Sequence, residues 1–230
     1  MNRFLAQAGL GSRRGVESLI EEGKVEINGE ICRNLATRVQ PEDQVKVDGR
    51  RVSQHKTVSL LMNKPRGIVC TLSDELGRDT IIDLLPPQYH AIGLHHVGRL
   101  DKESEGLLVL TNDGQLSNQL THPRHKVEKE YLATLDKPFD LSLKPKLLNG
   151  VVTPEGKAHA DRVWGEGRKV SVVLTQGMKR QVRHMFAAVG YEVTRLQRVR
   201  IGELKAPALK PGAYSTLNDR QIDKMLERKA

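Results

Sequence analysis

Residues 98–114 read GRLDKESEGLLVLTNDG and combine a polar pair with the pattern of a core strand. Arg99 and Asp101 come first, and the run from Gly106 to Thr111 is apolar and β-favouring before an Asn-Asp-Gly turn. The pattern predicts an acid and a base just before a buried strand. An arginine favours the charged form of a nearby carboxylate, which suits a nucleophile or a base rather than a general acid. Because an Arg-Leu-Asp tripeptide is usually a solvated ion pair, the assignment depends on the rest of the chain.

The composition indicates a globular protein with a polyanionic partner. The chain has 230 residues, 38% of them hydrophobic, and a formal net charge of +9. Such an excess favours nucleic acid, with an anionic membrane surface as the alternative. No apolar run approaches the ~18 residues of a membrane helix, and no signal-peptide pattern opens the chain, so we expect a cytoplasmic protein. Aromatic residues make up only 3%, which argues against extended base stacking.

The cysteines and histidines do not form a recognisable metal site. Cys32 and Cys70 are the two cysteines, so the chain has neither a disulfide framework nor a Cys-x-x-Cys pair. His95 and His96 are adjacent, and neighbouring residues of a strand point to opposite faces. Since a second pair of ligands is also missing, we expect no bound metal.

The first part of the chain has the pattern of a small separate module. A short helix over 3–8 is followed by a second helix, which Ser12 is predicted to cap and Gly23 to end. A hairpin then turns at Asn28-Gly29, and one more strand over 45–47 closes at Asp48-Gly49. We place this module at residues 1–52, a polar linker at 53–57 and a larger domain at 58–230.

The order of these elements resembles the S4 RNA-binding domain. The resemblance is carried by Ser12-Arg13-Arg14, by Gly23-x-Val25-x-Ile27-Asn28-Gly29 and by Val45-x-Val47. Residues 1–50 contain eight basic and eight acidic side chains, so RNA binding must depend on where the charges lie. Arg3, Arg13 and Arg14 cluster at one end and are the candidates.

Apolar periodicity and turn residues predict further elements in the larger domain. In chain order they are a strand over 58–62, a short helix over 81–85, the strand from Gly106, a helix capped by Asp113 and ended by His122-Pro123, a strand over 129–135, a helix over 141–148, strands over 150–152 and 170–174, and a basic helix over 179–189. Trp164 is predicted to lie in the core. Residues 174–210 hold eight basic against two acidic side chains, which is most of the net charge.

Three separated motifs resemble the RsuA-type branch of the pseudouridine synthases. They are Gly98-Arg99-Leu100-Asp101 with Gly106-Leu107-Leu108, then Lys129-Glu130-Tyr131, and then Gly177-x-x-Arg180-Gln181-x-Arg183. The resemblance covers essentially the whole chain and is greatest to the RluF-like enzymes, which act on large-subunit (23S) ribosomal RNA. It implies an α+β fold: the small S4-like domain, then a catalytic domain built on a mixed, mainly antiparallel sheet.

The resemblance also implies roles for individual residues. Asp101 would be the catalytic carboxylate, Tyr131 would stack on the target uracil, and Arg183 would form an ion pair with Asp101. The N-glycosidic bond would break, and the uracil would rotate and rejoin through carbon 5, with no metal, redox step or cofactor. Whether Asp101 attacks the base, attacks the sugar or removes a sugar proton stays open. A paired uridine must be flipped out to be reached, which requires an aromatic face and basic groups for the backbone.

The expected partner is ribosomal RNA, bound by a monomer without a small-molecule cofactor. Arg99 is the candidate to hold the vacated space or a flanking phosphate. The full set of RNA-binding candidates is Arg3, Arg13, Arg14, Lys64, Arg99, Lys129, Lys179 and Arg180. His95 and His96 are interpreted as ordinary solvated histidines, with an effect on the local pH response or an RNA contact as the alternative.

Two other functions are compatible with parts of the sequence. A non-catalytic S4-type RNA-binding or ribosome-assembly protein would use Asp101 as a structural partner, but it would not need Tyr131 and Arg183 as well. DNA binding through the first two helices is disfavoured by the neutral charge of residues 1–50.

Overall fold

The computed structural model describes residues 1–72 and 74–227, and the chain divides into two compact units. The first unit comprises Met1–Val58 together with Leu85–His95, and the second comprises Ser59–Leu84 and the chain from His96 onward. Segment 85–95 lies within the larger domain by sequence but groups by its contacts with the first unit.

The first unit packs two helices against a small antiparallel sheet. Its elements are α1 (Asn2–Gln7), α2 (Glu17–Glu21), β1 (Val25–Ile27), β2 (Glu30–Ile31), β3 (Val45–Val47) and β4 (Arg50–Val52), with strand order β2-β1-β3-β4. The predicted hairpin at Asn28-Gly29 and the strand over 45–47 are confirmed. Leu5, Ile20 and Val25 are fully buried in the core of the unit.

Two details of the first unit differ from the sequence prediction. Ser12 does not cap α2: its hydroxyl accepts the Gly15 N–H at 2.9 Å within a preceding turn, and α2 begins at Glu17 without a side-chain cap. The chain also forms β4, which pairs with β3 across the Asp48-Gly49 turn. The prediction ended the sheet at this turn, whereas Arg50 and Arg51 continue it as exposed residues of an edge strand.

The second unit is built on a large mixed sheet. Its strands are β5 (Ser59–Lys64), β6 (His95–Val97), β7 (Ser104–Thr111), β8 (Lys129–Leu135), β9 (Val151–Thr153), β10 (Gly156–Ala158), β11 (Arg162–Glu166), β12 (Lys169–Leu174), β13 (Val193–Ile201) and β14 (Tyr214–Thr216). The order is β11-β12-β8-β13-β7-β5-β14, with β6 beside β7 and with β9 and β10 forming a separate hairpin. Only the β13–β7 pair of this sheet order is parallel within the described residues, so the expected mixed, mainly antiparallel sheet is confirmed.

Four α-helices and three 3₁₀ turns complete the described part of the chain. They are α3 (Gly114–Thr121), α4 (Lys144–Asn149), α5 (Gln181–Ala187), α6 (Asp219–Leu226) and the turns Pro87–Tyr89, Pro123–His125 and Leu141–Leu143. The Asp113 cap is confirmed, since its carboxylate accepts the Gln115 N–H at 2.8 Å. The predicted helix over 81–85 is wrong: these residues form turns, and the short helical segment follows at Pro87, where proline is tolerated in a first turn.

Two apolar clusters hold the helices against the sheet. One joins α5 to β8, β12 and β13 through Phe186, Ala133 and Val170, and the other joins α3 and α6 to β5 and β7 through Leu116 and Met225 among others. None of the described helices is long and apolar enough to cross a membrane.

The predicted core position of Trp164 is wrong, because its side chain is 42% exposed. Trp164 lies on β11, the edge strand, where its neighbour Val163 takes the buried face. Successive residues of a strand point to opposite faces, so the indole is left on the outer one.

Candidate active site

A row of residues in register crosses the centre of the large sheet. Lys64 on β5 is opposite Gly106 on β7, which is opposite Arg198 on β13, which is opposite Tyr131 on β8. Adjacent strands lie about 4.8 Å apart, so Tyr131 is on the order of 10 Å from Gly106 along this row. Two of the three motifs from the sequence, those around Asp101 and Tyr131, are thereby brought to one region.

Gly106 is the residue that permits the parallel pairing of β7 with β13. Its φ is +107°, a value that side chains other than glycine rarely adopt, and a Cβ atom there would lie 2.3 Å from the Arg198 carbonyl oxygen. The close approach of the two strands therefore requires glycine at this position, which explains the glycine that opens the apolar run.

Asp101 lies three residues before β7, in a half-buried position. Its backbone carbonyl accepts the Ser104 N–H at 3.0 Å, and the preceding Leu100 is buried at 5% exposure. Within residues 1–72 and 74–227, no donor forms a hydrogen bond with the Asp101 carboxylate. The backbone of this residue is therefore fixed while its carboxylate keeps its lone pairs available.

The neighbouring acids of this segment are already paired. The Glu103 carboxylate binds Arg66 at 2.9 Å, and this hydrogen bond lowers the pKa of Glu103. The Glu105 carboxylate binds Arg195 at 2.6 Å. Of the three carboxylates between 101 and 105, Asp101 is thus the one left to react, as far as the described residues show.

Lys64 is fully buried and holds the loop that carries Asp101. Its ammonium group donates to the carbonyls of Pro65 at 3.0 Å, Asp101 at 3.3 Å, Lys102 at 3.5 Å and Ser104 at 2.8 Å. Burial lowers the pKa of Lys64, and the nearby Cys70 and Asp101 charges oppose this shift. The predicted RNA contact of Lys64 does not agree with this arrangement, because the side chain is 0% exposed and its ammonium already donates to four backbone carbonyls.

Arg183 also binds this segment through backbone carbonyls. Its guanidinium donates to Val193 O at 2.5 Å and to Glu103 O at 3.1 Å. Among the described contacts Arg183 forms no direct ion pair with Asp101, in contrast to the expectation. Burial lowers the pKa of Arg183, as does the Arg180 charge, whereas the Asp101 charge acts in the opposite direction. The two side chains therefore interact through their charges without a hydrogen bond.

Arg198 completes a set of three cations that bind the backbone from 101 to 107. Its Nε donates to the Leu107 carbonyl at 2.6 Å. We call Lys64, Arg183 and Arg198 the carbonyl-bound cations, because in the described part of the chain each of them donates to backbone carbonyls and to no carboxylate. They come from β5, α5 and β13, so three elements position one short segment. The sequence prediction missed Arg198, since a basic excess over 174–210 does not reveal which arginine is buried.

Tyr131 lies half-buried on β8, with its ring packed against the apolar cluster beneath α5. No hydrogen-bond partner of its hydroxyl occurs among the residues described. A ring held on a central strand has few alternative positions, and a partly exposed aromatic face can stack on an unpaired base.

The other basic candidates are mostly exposed. Arg3, Arg13, Arg14, Arg99, Lys179 and Arg180 all have exposed side chains. Lys179 lies 4.0 Å from Glu155. Arg180 precedes α5 with φ +50°, so this helix begins at Gln181 and not at residue 179, and Arg180 and Arg183 line a cavity of about 270 Å³.

Lys129 and the histidines are more enclosed than the sequence suggested. The Lys129 ammonium donates to Leu120 O at 2.9 Å, and burial together with the Arg198 charge lowers its pKa to about 8. His95 and His96 are half-buried, a ring nitrogen of His96 bonds Gly98 O at 2.9 Å, and burial lowers the pKa of His96. No group of three potential metal ligands occurs within the described residues.

Two family models match the chain in the order that the sequence suggested. The model described as RNA pseudouridylate synthase matches residues 58–188, and the S4 domain model matches residues 2–45. The first match alone covers more than half of the chain and includes Asp101, Tyr131 and Arg183.

Individual relatives extend the similarity over nearly the full length. An uncharacterised RNA pseudouridine synthase of Mycobacterium leprae is 40% identical over 226 residues, covering 94% of this chain and 88% of that protein. Ribosomal large subunit pseudouridine synthase B of Bacillus subtilis is 34% identical, covering 98% and 94%. A crystal structure of a pseudouridylate synthase superimposes with a TM-score of 0.71 at 30% identity, covering 97% of this chain and 98% of that one. The chain therefore belongs to the RNA pseudouridylate synthase family and carries an S4 domain at its N-terminal side.

Proposed function

We propose that this protein isomerises a specific uridine of ribosomal RNA, in the large (23S) subunit, to pseudouridine, with Asp101 as the catalytic carboxylate. The observation that carries the proposal is the state of Asp101: its backbone is held by Lys64, while its carboxylate is free of protein donors among the described residues. The large-subunit substrate is supported by the name of the Bacillus subtilis relative, ribosomal large subunit pseudouridine synthase B, which is similar over nearly the whole chain.

The proposed roles follow from where the side chains lie. The target base is flipped out and stacks on Tyr131, because the reacting atoms cannot be reached while the base is stacked inside a duplex. Asp101 acts as the nucleophile or as the group that moves a proton. Arg183 positions the segment through Glu103 O and contributes positive charge near Asp101. Arg99, Lys179 and Arg180 provide exposed charge for the RNA backbone.

The reaction needs no net gain or loss of atoms in the RNA. The bond between uracil N1 and ribose C1′ breaks, the ring rotates, and a bond from C5 to C1′ replaces it. The proton leaves C5, and N1 gains one. We propose that no metal, redox partner or small-molecule cofactor takes part, and that the protein acts as a monomer in the cytoplasm.

We also propose that RNA binding and catalysis are carried by different parts of the chain. Residues 1–52 form the S4-like module that binds RNA through Arg3, Arg13 and Arg14, residues 53–57 form a linker, and residues 58–230 carry the chemistry. The family matches over 2–45 and 58–188 support this division.

The decisive experiment maps pseudouridines chemically in ribosomal RNA from cells with and without the gene. We expect one position in large-subunit RNA to lose its modification and to regain it with the wild-type gene but not with Asp101→Asn. The modified position also decides between an RluF-like specificity and that of a type B relative. An unchanged modification map would contradict the proposed function.

A further inference from the structure

Strand β13 carries two buried arginines, two residues apart, that differ in their partners: one binds carboxylates and the other does not, as far as the described residues show. Arg198 is 4% exposed and Arg200 is 3% exposed. Arg200 binds three carboxylates: Glu130 at 2.8 Å, Glu128 at 2.9 Å and Glu203 at 3.3 Å. Arg198 donates to one backbone carbonyl, and its Nη2 atom is buried without any partner among the described residues.

An unpaired buried cation is unfavourable for the folded protein. Moving a charge out of water is compensated only where a counter-ion and hydrogen bonds are supplied. Within residues 1–72 and 74–227, Arg198 has one hydrogen bond and no counter-ion. An apolar side chain would pack at such a position without this penalty. The presence of an arginine is therefore difficult to explain by the stability of this chain alone.

The position of Arg198 connects its charge to the candidate active site. It is opposite Gly106 and Tyr131 in the sheet, and its Nε binds the backbone of the segment that Asp101 begins. Its charge also acts on Cys70: burial raises the pKa of this thiol, while a backbone hydrogen bond from Leu100, the residue before Asp101, and the Arg198 charge lower it. Arg198 thus lies close to Cys70, which itself contacts the backbone at Leu100.

The proposed reaction creates negative charge in this region. When the N1–C1′ bond breaks, its electron pair moves onto uracil N1 and is shared by the ring carbonyl oxygens until C5 attacks. The phosphates flanking the nucleotide are anionic throughout. Fixed cations in a region that excludes water stabilise such charge more than they would in bulk solvent.

We propose that Arg198 lacks a counter-ion in the described part of the chain so that its charge stabilises the anionic oxygens of the target nucleotide. This inference rests on the proposed function, and it assigns to Arg198 a role that is separate from the carboxylate chemistry of Asp101. Two sources supply the same anionic chemistry: the carbonyl oxygens of the detached uracil, and a phosphate beside the nucleotide. Charge on the uracil affects turnover, whereas charge on a phosphate affects affinity.

The test compares Arg198→Met with Arg200→Met, which is matched in strand, burial and residue type. We expect Arg198→Met to keep or raise the melting temperature of the free protein, because it removes an uncompensated charge. We expect Arg200→Met to lower the melting temperature, because it leaves the buried Glu130 carboxylate without a cation among the described residues. Equal losses of melting temperature in the two variants would overturn the proposal, since Arg198 would then be structural.

The second measurement is pseudouridine formation under single-turnover conditions with saturating transcript of the target region. Removing one preorganised donor from such a site reduces turnover by roughly 10²–10³-fold, so we expect Arg198→Met to lose at least about tenfold. A loss in turnover assigns the charge to the uracil, and a loss in RNA affinity at unchanged turnover assigns it to a phosphate. If both quantities stay at the wild-type values, the inference is wrong.

Arg198→Lys and Arg198→Gln keep the test decisive if methionine perturbs the fold. Lysine retains the charge and should recover most of the lost turnover or affinity, whereas glutamine retains only hydrogen-bonding capacity and should not. Equal recovery by both would overturn the role of charge. Wild-type protein in the same assay tests the proposed function independently, because absence of product there would contradict that function, while the melting temperatures need no activity.

Discussion

Two groups of cations at the large sheet are bound in different ways. The carbonyl-bound cations, Lys64, Arg183 and Arg198, donate to backbone carbonyls between 101 and 107 and to those of Pro65 and Val193. Arg200 lies in a group with Glu128, Glu130, Glu203 and Arg162, which we call the carboxylate-bound group. A carboxylate neutralises a cation, whereas a carbonyl satisfies its hydrogen bonds and leaves its charge in place.

The difference in partners indicates that the carboxylate-bound group stabilises the fold, whereas the carbonyl-bound cations serve the candidate active site. In the carboxylate-bound group, burial tends to lower the pKa of Arg200, but the hydrogen bonds with Glu130 and Glu128 outweigh it and the net shift is upward. In the carbonyl-bound group, burial lowers the pKa values of Lys64 and Arg183. In the carboxylate-bound group, the charge of Arg200 is neutralised by carboxylates. The carbonyl-bound cations bind no carboxylate among the described residues, so their positive charge remains near Asp101 for an anionic ligand.

The largest expected effect is on Asp101, which lies in the segment whose backbone the carbonyl-bound cations hold. Asp101→Asn keeps the shape of the side chain and removes the charge, so we expect pseudouridine formation to fall by at least about 10³-fold while the fold is retained. The measurement is product formation by purified protein, with the circular dichroism spectrum as control. Substantial residual turnover would contradict the catalytic role of Asp101.

Arg183→Met tests the second carbonyl-bound cation and its charge interaction with Asp101. We expect turnover to fall by about 10²-fold and RNA affinity to change much less, because the residue positions the Glu103 carbonyl and supplies positive charge near Asp101. Arg183→Lys, which retains the charge, should be milder. Wild-type turnover in Arg183→Met would show that the interaction has no role.

Glu130→Gln tests the carboxylate-bound group. Glutamine retains an acceptor for Arg200 but loses the charge of a buried partner, and we expect unfolding free energy to fall by about 1–3 kcal/mol. Urea denaturation measures this change, and turnover per folded molecule should stay at the wild-type value. A stability equal to that of the wild type would show that the pairing is not needed for the fold.

Lys129 is a further partly buried cation, and its lowered pKa lies in a pH range where protein stability can be measured. Its folded-state pKa of about 8 lies below the ordinary value of 10.5, so between these two pH values the unfolded chain binds more protons than the folded one. Stability contributed by this group must then rise as pH increases from about 8 to 10.5. We expect the wild-type melting temperature to rise across this window relative to that of Lys129→Met. Parallel pH curves for the two proteins would contradict the lowered pKa.

The smallest effect on function is expected from the S4 domain, where the basic side chains Arg3, Arg13 and Arg14 are exposed to solvent. Substituting Arg13 and Arg14 by alanine should weaken binding of structured RNA and reduce the salt dependence by about 0.7–0.9 in log–log slope for each lost phosphate contact. Titrations at several salt concentrations measure this slope, and turnover at saturating RNA should not change. An unchanged slope would place the RNA contacts elsewhere.

Much of the local structure was predictable because it depends on neighbouring residues. The Asn28-Gly29 hairpin, the Asp113 cap and the β8 strand were identified correctly from turn chemistry, capping and alternation. The apolar run from Gly106 marked the central strand, and the glycine itself proved to be required by the approach of β13. The motifs around Asp101, Tyr131 and Arg183 identified the family.

The state of each charged side chain, in contrast, was decided by the tertiary structure. Lys64 and Arg198 look like surface residues in the sequence, yet both are buried because β5 and β13 flank β7 in the sheet. Arg183 binds two carbonyls in place of the expected carboxylate, and Trp164 is exposed because its strand lies at an edge. Burial and pairing depend on which strands become neighbours, and β13 meets β7 from about ninety positions further along the chain, a distance over which no local pattern carries information.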